Sequence, residues 1–287
     1  MSADHDIPGV VAYGKGRGEY TLPCGYVDGA GKVHNTIILR ETTGAEEDIL
    51  DDDQLSTTER ITRVLSGCCE RLGEITDKGL IQRAIGDRLE KDEGLPCSQA
   101  DRMAMMLFLR RTTNGDRYHL PEAQRTCPHC KGKNNPMHVD LDKDIEIKHA
   151  KDPTKRRVQF KLPRKGLLAV MRVLSASGEE SLTKLMRGNN RKNLRTLAIL
   201  ARLESIGDTN LRADDFKSVD LVKRLSSVDR NYIREVYNKV EGAIDTELEI
   251  SCEKVACGLE WKTEIDIGQV FFSPQAVEIT EADLEWI

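Results

Sequence analysis

The sequence predicts an α+β fold, and three observations carry that prediction. Residues 19–40 alternate apolar and polar side chains about a glycine-rich turn, the pattern of a β-hairpin. Apolar residues recur at three- and four-residue steps over 56–111 and again over 164–245, the period of amphipathic helices. Two short-spaced cysteine pairs, Cys127-Pro128-His129-Cys130 and Cys252 with Cys257, each lead into an alternating run, Met137–Leu141 after the first and Leu259–Ile267 after the second. A thiolate pair on a tight turn supplies half of a tetrahedral soft-metal site. Knuckle then strand, written twice, is how the halves of a zinc ribbon read in sequence. Here 121 residues separate the halves, so sharing one ion requires the chain to fold back on itself. The expected centre is one Zn2+ held by Cys127, Cys130, Cys252 and Cys257. Two other readings stay open: four unrelated buried or free cysteines, and a site in which His129 or His138 replaces one cysteine.

The expected architecture is therefore an N-terminal β-hairpin, helices, a split zinc-ribbon-like β element and an α-helical insertion. Residues 1–18 read as a flexible arm and 19–163 as an α+β body with the first knuckle. Residues 164–245 read as the helical insertion, and 246–287 as the second knuckle, returning strands and an acidic tail. Four glycines, Gly9, Gly14, Gly16 and Gly18, mark the arm; with no strand before them and no apolar helix after, they do not form a nucleotide-binding fingerprint. Tyr20–Val27 and Lys32–Leu39 flank the hairpin turn Asp28-Gly29-Ala30-Gly31. Thr43-Gly44 leads into Glu46, Glu47 and Asp48, acids suited to a helix N-terminus. Ser56-x-x-Glu59 is a capping box opening a helix striped by Ile61, Val64, Leu65, Cys68 and Leu72. A second stripe runs through Ile81, Ala84, Ile85 and Leu89. A third follows the box Ser98-x-x-Asp101 through Met103, Met106, Leu107 and Phe108 until Asn114-Gly115 ends it. Its methionines fit a core better than a plastic binding surface.

After the first knuckle, Met137–Leu141, Ile145–Lys148 and Arg157–Leu162 read as strands, and Pro163 stops the last. Five helical stretches are expected next. They are marked by Leu167, Leu168, Met171 and Leu174; by Leu182, Leu185 and Met186; by Leu194 to Leu203; by Leu221, Val222 and Leu225; and by Ser227 onward through Ile233, Val236, Tyr237 and Val240. Phe271-Phe272-Ser273-Pro274 and a short acidic helix to Trp286 complete the chain.

Composition narrows the function. With 39% hydrophobic and 32% charged residues, 287 residues can bury a sizeable core, and no apolar run reaches the length of a membrane span. The first residues carry neither a basic nor an apolar signal region, so the eight cysteines fit a reducing compartment and bound zinc better than disulfides. Lys and Arg against Asp and Glu count 5 to 12 over 1–60, 21 to 12 over 151–245, and 2 to 10 over 246–287. Acidic ends around a basic middle speak to partners and docking. No nucleophile with a base and no phosphate loop is evident, and Asp51-Asp52-Asp53 reads as a solvated loop before the Ser56 cap. Four cysteines close a zinc shell and leave no position for substrate, so the ion is structural and no enzyme or small-molecule substrate is expected. A zinc-ribbon nucleic-acid-binding or regulatory factor is the alternative, on the strength of Lys155-Arg156-Arg157, Arg164-Lys165 and Arg191-Lys192. Interleaved acids and 5% aromatics count against it, because single strands need stacking platforms.

Several stretches in order carry a resemblance. They are Gly25-Tyr26-Val27-Asp28 with Gly31, His34, Leu39-Arg40 and Thr43-Gly44 ahead of Glu46–Asp48; Ala100-Asp101-Arg102 through Leu107-Phe108-Leu109-Arg110-Arg111; Gly115-Asp116 ahead of Cys127-Pro128-x-Cys130; and Cys257-Gly258 ahead of Phe271-Phe272. The series resembles the baseplate hub assembly proteins of contractile-tailed bacteriophages of the T-even type. That resemblance implies a non-enzymatic virion or assembly protein, in the tail baseplate or in the host cytoplasm during assembly. Its implied partners are other baseplate, hub or tail tube proteins, and it offers no catalytic residues. The family's shorter members imply that 164–245 is an enlarged insertion.

Overall fold

A computed structural model describes residues 16–188, 194–212, 215–265 and 267, and its helices and antiparallel sheets form an α+β fold. The earlier part of the glycine-rich arm and the expected Phe271–Trp286 features lie outside these residues. β1 (Arg17–Val27) and β2 (Val33–Arg40) make the expected hairpin, so ordered strand begins inside the stretch read as an arm. Asp28 Oδ1 closes the turn by accepting from the N–H groups of Ala30 and Lys32. The pairing register shifts between Thr21 and Tyr26. At that irregularity Gly25 has φ +78°, and a Cβ there would stand 2.6 Å from the His34 carbonyl, so the position requires glycine.

α1 (Gly44–Asp51) begins at a reciprocal capping box between Thr43 and Glu46. Glu46 is buried and also accepts from Arg40 Nη2 at 2.7 Å and Nη1 at 3.0 Å. The Arg40 guanidinium holds the Glu46 carboxyl down at about 2, with Thr43 assisting and burial opposing. Because the folded-state value is depressed from 4.5, this contribution is complete above about pH 4.5 and is lost as pH falls toward 2. Water screens the half-exposed Arg40, so Glu46→Gln is expected to destabilise the chain by about 1–2 kcal/mol at pH 7. Urea melts at pH 7 and near pH 2 check this, since parent and variant should converge at the acidic end.

α2 (Thr57–Cys68) starts at Ser56, whose side chain accepts from the Glu59 N–H. The stripe that the sequence continues to Leu72 breaks at Cys69, and β3 (Cys69–Leu72) pairs with β2, giving the sheet order β1-β2-β3. Leu72 remains fully buried, so the inward position is as expected while the local structure is not. α3 (Lys78–Gly86) ends at Asp87, in the left-handed region with φ 54°, which leaves Leu89 beyond the helix. α4 (Gln99–Asn114) carries the expected Ser98–Asp101 box and stops at Gly115. Its Met105, Met106, Phe108 and Leu109 pack with Leu22, Tyr26, Ile37, Leu65 and Ile85 in the main core, which places the methionines in the interior.

Asp101 does more than cap. It is fully buried, and beyond Ser98 its Oδ1 accepts from the N–H groups of Cys24 at 2.7 Å and Gly25 at 2.8 Å. The irregularity in β1 turns those two N–H groups out of the ladder, and the carboxylate satisfies them.

The chain continues through β4 (Arg117–His119), α5 (Glu122–Arg125), β5 (His138–Asp140), β6 (Glu146–Lys148), β7 (Arg157–Lys161) and β8 (Leu168–Arg172). Then come α6 (Ala176–Gly188), α7 (Leu194–Leu200), β9 (Leu203–Ile206), β10 (Thr209–Asn210), α8 (Phe216–Lys223), α9 (Ser227–Glu241), β11 (Ala243–Asp245), β12 (Glu247–Ser251) and β13 (Glu260–Glu264). Within 164–245 the helices α6 to α9 are present, but of the five expected helical stretches the first holds a strand instead and the third ends in one. Leu168–Arg172 alternates, with Ala169 and Met171 buried and Leu168 and Arg172 exposed, and α7 stops at Leu200 before β9. These strands join β7 in a four-stranded sheet, order β10-β9-β8-β7, packed on α7, α8 and α9 through Met171, Ile199, Leu203, Val222 and Ile233.

Two buried arginines tie this second core to the first. Arg102 of α4 reaches Glu179 of α6 at 3.0 Å while donating to Thr62 Oγ1 and the Ile85 carbonyl, each at 2.9 Å. Arg202 forks onto Glu241 of α9 with two 3.0 Å contacts, donates to Gln99 Oε1 at 2.6 Å, and lies 4.5 Å over the Tyr237 ring. Every donor used here has a partner, which is the condition under which burying a charge is tolerable.

Candidate metal centre

Two hairpins present the four cysteines. In the first, β4 pairs with β5, and the connection between them holds α5 and the Cys127–Cys130 turn. In the second, β12 pairs with β13 over Glu247↔Glu264 to Ser251↔Glu260, and the turn between them carries Cys252 and Cys257. β11 brings the returning chain back by pairing with β6, Ala243 opposite Lys148 and Asp245 opposite Glu146. Leu107, Leu120, Val139, Leu141, Ile145, Ile250 and Ile265 then form a small core shared by the two hairpins and α4. The alternation read after each cysteine pair is what places Val139 and Ile265 inward.

The two turns are built alike. In the first, the Cys127 N–H donates to the Gly132 carbonyl at 2.9 Å, the Lys131 N–H to the Cys127 carbonyl at 3.0 Å, and the Gly132 N–H reaches Cys130 Sγ at 3.4 Å. In the second, the Cys252 N–H donates to Leu259, and the N–H groups of Cys257 and Gly258 both donate to Lys254. Each turn ends in a left-handed residue directly after its second cysteine, Lys131 with φ 55° and Gly258 with φ 54°. Asn134 bridges them. Its Nδ2 donates to the Ser251 carbonyl at 2.7 Å, and its Oδ1 accepts from the Glu253 N–H at 3.1 Å.

The sulfurs converge. Cys127 Sγ is 3.8 Å from Cys257 Sγ, Cys130 Sγ is 3.6 Å from Cys252 Sγ, and all four lie within 4.8 Å of one another. Disulfides need about 2.05 Å, so these are free thiols. A tetrahedral ion with metal–sulfur bonds of about 2.3 Å places its ligands about 3.8 Å apart, and the cluster fits that spacing. Neither histidine belongs to the group. His129 Nδ1 stands 3.7 Å outside Cys257 Sγ, and His138 packs against His119 across β4 and β5, ring centroids 3.8 Å apart.

The electrostatics suit a bound cation. Burial opposes ionisation of Cys127, but the backbone N–H groups of Cys130 and His129 and the adjacent thiols outweigh it and bring the group down to about 7. At Cys252 the Lys254 N–H favours the thiolate, yet burial and the other three cysteines push it up to about 12. One thiolate forms readily and then resists the next, so four thiolates at this spacing require a positive charge among them.

The remaining candidates stay bland. Cys24, Cys68 and Cys69 are fully buried and pushed up to about 12 by burial, and Cys97 is raised by burial as well; Cys68, Cys69 and Cys97 act as small apolar side chains, while the Cys24 sulfur also accepts from the Arg156 guanidinium. Asp53 is exposed and 3.8 Å from Arg60. Of the basic run, Arg156 turns inward and donates to the Gly25 carbonyl at 2.6 Å, while Lys155 and Arg157 stay exposed in surface ion pairs with Asp152 at 3.1 Å and Glu204 at 2.6 Å. Arg191-Lys192 lies outside the described residues. Asn134 is the site residue that spacing could not reveal, since a lone asparagine after a knuckle has no sequence signature.

No helix among the described residues is long and apolar enough to cross a membrane. Compared with known families, residues 45–273 match the model described as T4 bacteriophage base plate protein, a span that contains both turns. No curated protein and no solved structure matches the chain.

Proposed function

The chain belongs to the T4 bacteriophage base plate protein family, and from that premise we propose that it is a non-enzymatic assembly or structural subunit that binds neighbouring hub, baseplate or tail tube proteins. Family membership supports a structural role in the phage baseplate and a place in the virion tail. The match over 45–273 is the observation that carries the reading, and the earlier resemblance to hub assembly proteins narrows it toward the hub. The four-thiol cluster supports the second part of the proposal, that Cys127, Cys130, Cys252 and Cys257 hold one structural Zn2+. Four sulfur ligands at tetrahedral spacing suit a soft divalent ion and occupy every coordination position, so the ion would staple the returning chain rather than activate a water. In this reading the inserted unit runs from β7 through α9, since β7 joins its sheet and β11 returns to β6; Arg102 reaches into it and Arg202 reaches out of it to Gln99, and its outer surface is available to neighbouring subunits.

The test is mass spectrometry of purified baseplates and of tail precursors. The protein is expected in at least one of them, and its absence from both would sink the assignment. The nucleic-acid reading is weakened because acids sit against the basic run, Asp152 beside Lys155 and Glu204 beside Arg157, and Arg156 is turned into the fold. No mobility shift of DNA or RNA is expected at micromolar protein near physiological salt.

A further inference from the structure

A cavity of about 580 Å³ opens beside α6, α7 and the β9–β10 hairpin, within the roughly 300–1,000 Å³ range of ligand pockets. Leu182, Leu200, Leu203 and Leu211 give it an apolar lining, and Arg172, Lys184 and Arg212 bring three cations to it. Among the described residues Arg172 makes no side-chain hydrogen bond or ion pair. Among the described residues Lys184 is paired with Glu180 one turn away, and Glu204 on the same lining is occupied by Arg157. An apolar pocket with cations on its wall selects an occupant that is apolar and anionic together.

One stretch of this chain has that chemistry. Residues 277–287, Val-Glu-Ile-Thr-Glu-Ala-Asp-Leu-Glu-Trp-Ile, alternate four acids with Val277, Ile279, Leu284, Trp286 and Ile287 and contain no lysine or arginine. They follow Ile267, the last described residue. Ten residues beyond Ile267 reach about 35 Å and twenty about 70 Å, whereas a chain of this length folds to a radius of gyration of about 19 Å. The far end of the stretch can therefore reach across a body of that size. We infer that the cavity is a receptor for the chain's own 277–287 stretch, which seats an apolar side chain among the leucines and sets its carboxylates against Arg172 and Lys184.

Hydrogen–deuterium exchange of the full chain, read by mass spectrometry, tests this. Peptides from 277–287 should exchange at least tenfold more slowly than their intrinsic rate. In Arg172→Glu/Lys184→Glu they should return to the intrinsic rate while peptides of α4 are unchanged. Adding Glu278→Lys, Glu281→Lys and Glu285→Lys to that variant should restore the protection by reversing both sides of the charge pairing. Three outcomes overturn the inference: exchange at the intrinsic rate in the parent chain, protection that survives the Arg172/Lys184 reversal, or protection that rises with protein concentration. The last would assign the cavity to the same stretch of a second copy.

Discussion

Cys252→Ser is expected to reduce bound zinc from about one ion per chain to nearly none and to lower thermal stability by several kcal/mol. Metal analysis of natively purified protein and thermal melts check both. In small zinc peptides the apparent binding free energy is roughly 10–16 kcal/mol and is folding free energy outright. This chain has other cores, so only part of that should appear as lost stability. The part that appears should be local, in the hairpins β4–β5 and β12–β13, whose shared core among the described residues is small: Leu107, Leu120, Val139, Leu141, Ile145, Ile250 and Ile265. Chelation should reproduce the effect, and acid should act in the same direction because a metal-bound thiolate must first be deprotonated. A metal-free parent chain with undiminished stability would end the zinc reading. His129→Ala should leave the metal content at about one, because His129 stands outside the four sulfurs.

Asp101→Ala should be the most damaging single change away from the metal centre, about 3–5 kcal/mol in denaturant melts. One carboxylate serves the N–H groups of Cys24, Gly25 and Ser98 and the Ser98 hydroxyl, all at 2.7–2.9 Å and all buried. Losing a helix cap alone costs about 1 kcal/mol. The larger share comes from stranding buried donors at about 1–3 kcal/mol each, partly relieved if the local backbone relaxes. Asp101→Asn keeps one acceptor oxygen and should lose about half as much. A measured loss below about 1 kcal/mol for the alanine variant would mean that water replaces the carboxylate and that the junction of β1 and α4 is not sealed.

The two sites differ in how far the sequence revealed them. The cysteine cluster was legible because metal chemistry imposes ligand type and spacing directly on the chain, whatever lies between Cys130 and Cys252. The cap at Asp101 was legible for the same local reason. Its bonds to Cys24 and Gly25 were not, since they depend on an irregular strand 76 and 77 residues upstream. Leu167–Met171 misleads because it is an unbroken apolar run, and such a run satisfies a helical template and a buried strand equally well. Only its neighbours β7 and β9 decide. Leu72 misleads in the opposite way: it is correctly inward, but the partner that keeps it there is Ile37 of β2 rather than the preceding turn of a helix.

The distance between the cysteine pairs also has a consequence in time. A ribosome adds about 5–20 residues per second, so Cys127 and Cys130 leave the exit tunnel on the order of 6–24 s before Cys252 does. Throughout that interval the nascent chain carries a two-thiol half-site and an unpaired β6, because β11 is also made late. The N-terminal hairpin and α4 can pack meanwhile, but the ribbon cannot close. Closure of the ribbon therefore waits for residues 131–251 to be made, and a surface that depends on the closed ribbon is withheld from neighbouring subunits until the second cysteine pair has emerged.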